Sequence, residues 1–533
     1  MMFKLTEEEK NFHINFSPLY VVIAMILLMF WANDVQSQEI EEVVVIGTTI
    51  YESESDPSTD VNVLETIMPS ATTSGGYGAF MGYNERGTQT IHTTIFRNGV
   101  PANDAGSGWY DFGHDFATGN ETVKIVNGPT SVLYGSGSLG GAIFITDDLQ
   151  DGSVIRAGSS TFVSHTMNGM NLTYFDADND SVRTDNDEKD GYNNISLKGQ
   201  KEFGDWKVNV SGTTYEYDYD NCYTASFSQT NDCVQSGNKG TLSVRNDNYT
   251  FGYTFNDAEY ETQGVQTFKS DAERAYVDTR HQVGNTLLGA TVEHEKYSDF
   301  DQSQTSIYSL TSFDSFDVGL RLSEDAFVYR LGWESGKWFA SYGTSYRNPT
   351  LYELNGDSWT QPNPTLDPEE ATGYEVGYGA FTMFKYEFSE GIDYSFASSQ
   401  FVNTGSYDTQ GVRYGTTYQI ERLNSTSLGL MLGYTDSDQP RIPKYKAIVS
   451  SSTDMNDFTI SFRYTGLFDR EPGPYDGSEM LDDVSSLDYK IEKAFPNFLL
   501  SFTIRDILDE EFEFTPNYSA GGLEYFITLQ YKP

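Results

Sequence analysis

The segment FTISFRYTGLF, residues 458–468, alternates large apolar side chains with polar ones. Phe458 and Phe462 fall on one side of an extended chain, and Arg463 falls on the other side among serine and threonine residues. Successive side chains of a β-strand point to opposite faces of its sheet, so this period of two predicts a strand. The sheet that contains it must separate an apolar environment from a polar one.

The same alternation recurs in the region after residue 150. FLLSFTIR (498–505) and YFITLQY (525–531) repeat it, and no helical periodicity interrupts it. An apolar outer face, an inner face that carries arginine, and Tyr or Phe at strand ends are typical of a barrel with lipid outside and water inside. A soluble all-β domain shows the same alternation, but one of more than 380 residues would be unusual. The pattern therefore predicts an all-β transmembrane barrel.

The composition limits the class of protein further. Aromatic residues make up 15% of the 533 residues, which argues against a disordered chain. The net charge of −45 argues against a nucleic-acid partner, because phosphates attract basic proteins. The sequence has no Ser/His/Asp arrangement, zinc-ligand spacing or phosphate loop in a suitable context, so we predict no enzyme. A barrel hydrolase is the alternative, and it would need a paired His and Ser.

The N-terminus carries an export signal. Residues 19–32 form an apolar run of 14 residues, which is short for a membrane span but typical of the core of a signal peptide. Val35, Gln36 and Ser37 offer a cleavage site, so we expect a signal peptide over residues 1–37. A membrane anchor or a buried helix is the alternative.

The chain has two cysteines, Cys222 and Cys233, which lie eleven residues apart in a polar segment. In an exported chain they predict a disulfide that closes an exposed loop, with a reduced thiol pair as the alternative. No other cysteine is available for metal binding or nucleophilic chemistry.

Residues 61–150 follow a different pattern, in which short apolar segments alternate with turns rich in Gly and Thr. TIHTTIFRNGVPAND (90–104) predicts a strand, a turn at Asn98-Gly99 and a loop. Two more short strands are predicted within 121–135 and 140–148. We expect a compact mixed domain here.

From residue 41 to its end, the chain resembles the TonB-dependent outer-membrane receptors. EEVVVIG (41–47) is similar to their TonB box, 85–145 to their plug domain, 341–379 to a barrel signature and 505–533 to their closing strands. The plug motifs are Arg86-Gly87, Arg97-Asn98-Gly99-Val100, Gly128-Pro129, Tyr134-Gly135 and Gly140-Gly141. The barrel signature is matched by Asn363, Pro364, Leu366, Pro368 and Glu369.

The resemblance implies a barrel of about 22 antiparallel strands with an N-terminal mixed α/β plug domain inside its lumen. It divides the chain into a signal peptide (1–37), a TonB box and periplasmic segment (38–50), a plug domain (51–150) and the barrel (151–533). With about 17 residues for each strand and its connection, we expect tight loops. The implied location is the outer membrane, with a monomer surrounded by lipid.

The resemblance also gives a role to the strand-forming segment at the start of the mature chain. The TonB-binding residues would be Glu41, Glu42, Val43, Val44, Val45 and Ile46. A short extended peptide without a partner in its own chain can add a strand to the sheet of another protein, here TonB with its inner-membrane energising complex. A short buried strand is the alternative.

One position departs from the family pattern. Asn127 stands where the plug usually has Arg before Gly-Pro. We therefore expect an ion pair between plug and barrel to be missing.

The family carries out transport, in which a plugged barrel binds a scarce nutrient from outside and TonB rearranges the plug. We therefore expect active uptake of a small nutrient ligand. A passive porin and a structural or adhesive barrel are alternatives of another class, but neither needs a plug or a TonB box.

The outward tips of the plug form the predicted ligand-binding surface. Two glycine-rich segments, 75–87 and 103–115, carry aromatic residues that can present flat apolar faces to a planar ligand. The candidate ligand-binding residues are Tyr77, Phe80, Tyr83, Trp109, Tyr110, Asp111 and His114. Packing of each one against the barrel wall is the alternative.

An acidic cluster at residues 176–194 has carboxylates at ligand-like spacing. It does not fit an EF-hand, because a serine occupies the glycine position and an aspartate the final glutamate position. Together with TYEYDYDN (214–221), it resembles the calcium-binding loops of the cobalamin transporter. Matched residue by residue, the resemblance implies that a structural Ca²⁺ ion is bound by Asp185, Asp187 and Asp218, with Asp176 and Asp180 as looser additions. A solvated acidic loop is the alternative.

These resemblances make a cobalamin-like corrinoid the expected substrate. A ferric siderophore is the alternative, because many siderophore receptors share the barrel signature. Haem is disfavoured, since no His lies within residues 341–379. The low content of Lys and Arg, 33 residues against 78 Asp and Glu, disfavours anionic siderophores, which need cationic pockets.

Overall fold

A closed β-barrel surrounds a smaller β-sheet domain in the computed structural model of the protein. The structure describes residues 50–66, 72–73, 76–180, 189–219, 222–223, 229–420, 426–473, 480–510, 513–515, 518–519 and 522–533. The predicted TonB box, residues 41–46, lies outside the described residues.

The inner domain, called the plug below, is built on a mixed sheet. Its strands are β1 (Ile50–Glu54), β2 (Thr72–Thr73), β3 (Met81–Gly82), β4 (Thr93–Arg97), β5 (Val100–Pro101), β6 (Glu121–Asn127) and β7 (Gly141–Asp147). Five strands pair in the order β1-β6-β7-β4-β5, with β4 and β7 parallel and the other pairs antiparallel. Helix α1 (Ser131–Tyr134) and 3-10 helices at Val63–Thr66, Glu85–Gly87, Thr90–His92 and Phe112–His114 complete the plug. Among the described residues, no helix is long and apolar enough to cross a membrane.

Apolar side chains from several elements form the core of the plug. Ile95 of β4, Val123 of β6 and Ile143 of β7 are fully buried and pack with Leu64 and Phe112. All five residues of β4 are buried, as in strands that are covered on both faces. The plug therefore buries its sheet against its own loops and against the barrel.

The region after the plug is almost entirely β-structure. Its strands are β8 (Gly152–Gly158), β9 (Ser160–Met167), β10 (Met170–Asp180), β11 (Lys189–Phe203), β12 (Trp206–Tyr219), β13 (Cys222–Tyr223), β14 (Gln229–Thr230), β15 (Cys233–Arg245), β16 (Tyr249–Thr262), β17 (Val265–Val283), β18 (Thr286–Tyr297), β19 (Phe300–Phe313), β20 (Phe316–Ser323), β21 (Phe327–Ser335), β22 (Trp338–Arg347), β23 (Glu369–Tyr378), β24 (Phe381–Ser389), β25 (Ile392–Ser395), β26 (Gln400–Asn403), β27 (Tyr407–Ile420), β28 (Thr426–Ser437), β29 (Pro443–Met455), β30 (Phe458–Arg470), β31 (Val484–Phe495), β32 (Phe498–Arg505), β33 (Glu513–Thr515), β34 (Tyr518–Ser519) and β35 (Glu524–Tyr531).

Twenty-two of these strands form the closed barrel, in which each strand pairs with its antiparallel neighbour along the chain. The circuit closes where β35 pairs with β8. The hairpins β13–β14, β25–β26 and β33–β34 and helix α2 (Leu351–Asn355) lie in connections between barrel strands. The predicted fold class, a barrel of about 22 antiparallel strands around a mixed plug, is confirmed.

The two faces of the barrel wall differ as the alternation predicts. On β35 the side chain of Ile527 points outward and is 56% exposed, whereas its neighbour Phe526 points inward and is 1% exposed. On β30 Phe462 is exposed, and Arg463 points inward, where it lies 3.4 Å from Asp60 of the plug. A belt of exposed apolar side chains around a closed barrel fits the hydrocarbon layer of a membrane.

The two rims of the barrel carry connections of different lengths. One rim has short turns such as Asn168-Gly169, whose φ values of 53° and 73° fit the type I′ turn that a two-residue hairpin favours. The other rim carries the longer connections, including 348–368, 390–406 and 506–523. We call these the short-turn rim and the long-loop rim. In barrels of outer membranes the short turns face the periplasm and the long loops face outside.

Candidate ligand-binding site

A cavity of about 790 Å³ lies between the plug and strands β10–β12 and β15–β17 of the barrel wall. It reaches the long-loop rim at Asp393, at residues 439–442 and at Gly473, and it extends inward as far as Thr118 and Lys198. Its volume falls in the range of pockets that hold small ligands. We call it the outer cavity.

The plug loop 103–115 forms one side of the outer cavity, and its own hydrogen bonds hold it in place. The carboxylate of Asp104 accepts hydrogen bonds from two backbone N–H groups of the loop, at 3.0 and 2.6 Å, as in an Asx turn. Asp111 accepts a hydrogen bond of 2.8 Å from the backbone N–H of Gly113. Between these two fixed points the side chain of Trp109 is 38% exposed at the tip of the loop.

Aromatic side chains from both the plug and the wall face the outer cavity. Trp109 and Phe80 pack edge to face, with ring centroids 5.5 Å apart. Phe255 and Tyr260 of β16 line the cavity from the wall. The cavity therefore offers a ligand flat apolar surfaces that come from two directions.

The structure brings five of the seven predicted ligand-binding residues together in the outer cavity. These five are Phe80, Trp109, Tyr110, Asp111 and His114. They differ in access, because Trp109 is the most exposed, whereas Tyr110 and His114 are buried. The ligand-binding role of each remains a prediction.

Tyr77 and Tyr83 do not line the cavity, which corrects their predicted placement. Tyr83 is 2% exposed and belongs to the plug core, and its backbone N–H donates to Thr90 Oγ1. Tyr77 lies against Phe175 of β10, with centroids 5.2 Å apart, and its hydroxyl donates to Glu524. Tyr77 therefore packs against the barrel wall, which was the alternative interpretation, whereas Tyr83 packs within the plug itself.

His114 connects the plug loop to the barrel wall. Its ring stacks on Tyr215 with a centroid distance of 3.6 Å, and Nδ1 lies 2.8 Å from the hydroxyl of Tyr192. Its Nε2 is 3.3 Å from the carboxylate of Asp111. Burial opposes ionisation of Asp111, but His114 and Lys239 outweigh it and lower the pKa of Asp111. Asp111 is therefore a charged group that borders the cavity.

Basic side chains at the inner end of the cavity are held by carboxylates of the plug. Lys198 binds Glu121 and, at 3.0 Å, Asp147. Arg97 lies 3.4 Å from Asp147 and 3.5 Å from Asp115, which also binds Lys239 at 3.3 Å. Burial opposes ionisation of these carboxylates, but the neighbouring cations keep the pKa of each lowered. The cluster is a closed network of opposite charges.

The barrel residues that face this cavity were not predicted from the sequence. Small polar side chains line the wall, namely Thr173, Ser196, Ser211, Thr213, Thr241 and Thr254. They belong to the polar half of the alternating pattern, so their inward direction was predictable strand by strand. Whether they border a cavity depends on how the plug packs inside the barrel, and the alternation of a strand carries no information about that packing.

The plug is held to the opposite side of the barrel by buried ion pairs. Arg86 lies 2.8 Å from Glu375 and donates a 2.6 Å hydrogen bond to the hydroxyl of Tyr386. The backbone of Arg86 has a φ of 57°, a value that non-glycine residues rarely adopt. Next to it, Glu85 of the plug pairs with two cations of the wall, Arg413 at 2.6 Å and Lys446 at 3.3 Å.

These contacts clarify the consequence of Asn127. Its side-chain oxygen accepts a hydrogen bond of 3.4 Å from the hydroxyl of Tyr83, within the plug. The pairs of Arg86 and Glu85 nevertheless connect the plug to the wall. In the Glu85 pair the plug supplies the carboxylate and the barrel the cations.

The remaining predicted sites are described only in part. Asp176 lies on β10 with an exposed side chain, and Asp218 lies on β12. Asp185 and Asp187 lie outside the described residues. Only the backbone of Asp180 is described. Within the described part of the chain, no three His, Cys, Asp or Glu residues are grouped as metal ligands. The Ca²⁺ site remains a prediction. Cys222 and Cys233 form a disulfide beside the end of β12.

The family model for the TonB-dependent receptor-like β-barrel matches residues 68–507. The chain belongs to this family. A TonB-dependent receptor is an outer-membrane protein, so the predicted location is confirmed, and its long-loop rim faces the outside of the cell.

Solved structures of the same architecture are similar over almost the whole of this receptor. The siderophore receptor PirA of Acinetobacter baumannii superposes with a TM-score of 0.67 at 12% identity, covering 92% of this chain and 100% of that one. The ferric enterobactin receptor PfeA of Pseudomonas aeruginosa gives 0.70 at 13% identity, covering 91% and 99%. The ferric-catecholate import receptor Fiu of E. coli K12 gives 0.64 at 11% identity, covering 92% and 97%. At these identities the similarity shows the fold.

Proposed function

We propose that this receptor takes up a ferric siderophore across the outer membrane, with energy delivered through TonB. The observation that carries the proposal is the outer cavity, which opens at the long-loop rim and is bounded on its inner side by the plug. Its aromatic and hydroxyl-bearing lining can enclose a small, largely apolar ligand and orient it by hydrogen bonds. A ligand bound there cannot pass inward unless the plug rearranges, which is where energy from TonB is needed.

The similar structures favour a siderophore over the corrinoid that the sequence suggested. The three compared proteins are named for siderophores or for ferric-catecholate import. The corrinoid prediction relied on an acidic loop of which two aspartates lie outside the described residues. A corrinoid is therefore the alternative ligand for the same cavity.

TonB would act on this receptor through Glu41, Glu42 and the four residues that follow them. Three residues separate that segment from β1, which is an edge strand of the plug sheet and pairs only with β6. The guanidinium carbon of Arg413 lies over the ring of Tyr51 in β1, 4.0 Å from the centroid of that ring. Arg413 also forms an ion pair with Glu85 of the plug. A pull on residues 41–46 would therefore load β1 first and, through Arg413, the connection between plug and wall.

The proposal is tested by fluorescence titration of the detergent-purified receptor with a panel of ferric siderophores and with cyanocobalamin. We expect tight binding of at least one siderophore and none of cyanocobalamin. The reverse result would replace the siderophore with a corrinoid and leave the receptor class unchanged.

Two tryptophan variants locate the binding site in the same titration. Trp109→Ala removes an exposed aromatic surface of the outer cavity and should weaken binding about tenfold, or ~1.4 kcal/mol. Trp338→Ala is the matched control, because Trp338 is 52% exposed at the start of β22, next to a short turn. Equal affinities of the two variants would place the ligand elsewhere.

A further inference from the structure

We propose that the ferric complex carried by this receptor is neutral or cationic, as ferric hydroxamates are, and not a triply negative tris-catecholate. This inference rests on the proposed function and specifies the ligand of the same outer cavity. It concerns the charges that the cavity presents to a ligand.

Three basic side chains of the cavity lining are already committed to the protein's own carboxylates. Lys198 is 6% exposed and Arg97 is 6% exposed, and both bind Asp147. Lys239 binds Asp115 at 3.3 Å and donates to the backbone carbonyl of Asp111 at 3.1 Å. Arg441, at the rim, has an interaction partner as well. An anionic ligand would have to take these cations from buried carboxylates, which would then lose their own partners.

Carboxylates, in contrast, face the cavity without equivalent compensation. Asp104 and Asp393 line it, and neither forms an ion pair with another described residue. The carboxylate of Asp104 accepts its hydrogen bonds from neutral groups, namely two backbone N–H groups of its loop, the hydroxyl of Ser107 and the side-chain amide of Asn256 at 2.8 Å. Asp111 lies 3.3 Å from His114, and His114 and Lys239 together lower its pKa.

The charge of the whole chain acts in the same direction. A net charge of −45 produces a negative potential that repels an approaching anion and attracts a cation. Three catecholates leave a ferric complex with a triple negative charge, whereas three hydroxamates exactly neutralise the metal and a pendant ammonium makes the complex cationic. The half-buried carboxylates of Asp104 and Asp111, the exposed carboxylate of Asp393 and the aromatic pair of Trp109 and Phe80 suit these hydroxamate complexes, because aromatic faces also attract cations.

This ligand class differs from the one that the similar structures suggest, since two of those proteins are named for enterobactin or for catecholates. Titration with ferrioxamine B, which is cationic, ferrichrome, which is neutral, and ferric enterobactin, which is anionic, separates the two expectations. We expect the first two to bind at least tenfold more tightly than ferric enterobactin. We also expect added salt to weaken binding of ferrioxamine B more than that of ferrichrome, because salt screens the attraction.

A charge variant adds a control within the same experiment. Asp393→Asn should weaken binding of ferrioxamine B about fivefold more than binding of ferrichrome, because only the charged ligand is attracted by the carboxylate, and Asp393 lines the cavity without anchoring the plug loop. Asp457→Asn removes the same charge from a side chain that is 77% exposed on the short-turn rim, and should change neither. If ferric enterobactin bound most tightly, the proposal of a neutral or cationic ligand would be wrong, and the proposal of siderophore uptake would remain. Failure of all three complexes to bind would overturn both.

A second inference rests on a different observation, a cavity of about 440 Å³ at the short-turn rim. It lies between plug residues 118–122 and the wall at β8, β9 and β35, and Thr118 lines both this cavity and the outer cavity. Between the two cavities lie Thr118 and the ion pair of Lys198 with Glu121. We infer that the ligand leaves along this side of the barrel, because the two cavities already open the lumen on either side of these residues.

The two sides of the barrel differ in a way that supports this route. Strands β9–β12, β15 and β16, which we call the open wall, border the two cavities and carry several Ser and Thr side chains there, such as Thr166, Thr173 and Thr213. Strands β22–β24 and β27, which we call the tight wall, carry large inward side chains such as Phe384 and Tyr386, which pack on Leu139 of the plug. The open wall also packs on the plug through aromatic side chains, since Phe175 stacks on Phe116 at 4.0 Å, so the two cavities and not a lack of contact distinguish it.

Two engineered disulfide staples test the route, one between the plug and the open wall and one between the plug and the tight wall. Asn120→Cys with Thr166→Cys joins plug to open wall where these side chains are 3.3 Å apart. Ser131→Cys with Ser345→Cys joins plug to tight wall, where the Ser131 N–H is 3.2 Å from Ser345 Oγ, eleven strands further round the barrel. We expect the first staple to stop uptake of the bound ferric complex until reductant is added, and the second to leave uptake intact.

Each other outcome of the staple experiment contradicts the route. A block by the tight-wall staple alone would place the path on that side, and a block by both would show that the whole plug must move. Ligand binding at the cell surface, measured in the same cells, should be unchanged by either staple and shows that the variants are folded.

Discussion

The open wall and the tight wall belong to one closed sheet, yet they leave different amounts of space beside the plug. On the tight wall, Gly373 lets Pro129 come so near that an added Cβ atom would lie 2.3 Å from the proline ring. On the open wall, the inward-facing Gly252 of β16 lies equally close to Val100 of the plug, because the same added atom would be 2.4 Å from the valine side chain. The comparison shows that both walls pack closely on the plug and that they differ because the open wall also borders the two cavities.

The largest effect should come from breaking the buried ion pair of the tight wall. Glu375→Ala leaves Arg86 buried without its carboxylate, and we expect a loss of about 3–5 kcal/mol in the stability of the plug inside the barrel. The urea concentration at which the receptor opens channels in a planar bilayer measures this loss. The double variant Arg86→Ala with Glu375→Ala should be less damaged than Glu375→Ala alone. If the single variant opened at the wild-type concentration, the pair would not hold the plug.

A smaller effect is expected when the contact between Gly373 and Pro129 is crowded. Gly373→Ala places a methyl group against Pro129 and should cost about 1–3 kcal/mol in the same urea assay. Gly212→Ala, on the lipid-facing side of β12 with nothing within 4 Å of the added Cβ atom, is the control for the substitution itself and should change stability by less than about 0.5 kcal/mol. Equal effects of the two substitutions would show that the contact with Pro129 does not hold the plug.

The smallest effect concerns two buried carboxylates of the plug that titrate in opposite directions. Burial raises the pKa of Asp60 to about 6, although Arg463 opposes the shift. Burial also opposes ionisation of Glu85, but Lys446 and Arg413 outweigh it and lower its pKa to about 2. The two groups therefore make opposite contributions to the dependence of plug stability on pH.

For Asp60 the folded plug binds more protons than the unfolded chain between pH 3.8 and about 6, so its contribution to stability falls as the pH rises through that window. The Glu85 contribution is present above pH 4.5 and is lost as the pH falls towards 2. Asp60→Asn should therefore gain about 1–2 kcal/mol relative to wild type between pH 4 and pH 7. A pH series of the urea assay measures the gain, and a constant difference between the two proteins would contradict it.

Sequence periodicity was enough to predict the barrel, because alternation in segments such as 458–468 is a local property of each strand. The plug was predictable from motifs, since glycines such as Gly128, with a φ of 89°, occupy backbone conformations that other residues rarely adopt. Both domains were predicted correctly because strand alternation and glycine motifs each depend on residues that are close together in the chain.

The site was predictable only in part, because it depends on contacts between residues far apart in the chain. Tyr83 and Trp109 lie in similar glycine-rich segments, yet one is buried in the plug core and the other is exposed in the cavity. Nothing local distinguishes them. The wall residues of the cavity, such as Thr173, likewise acquire their place from the packing of the plug against the opposite wall.

The most direct test of siderophore uptake through TonB is the accumulation of radioactive ferric siderophore by cells that carry the full-length receptor or a variant without residues 41–46. The account predicts that both forms bind the complex at the cell surface and that only the full-length receptor accumulates iron. Equal accumulation by the two forms would show passive diffusion and would contradict the account.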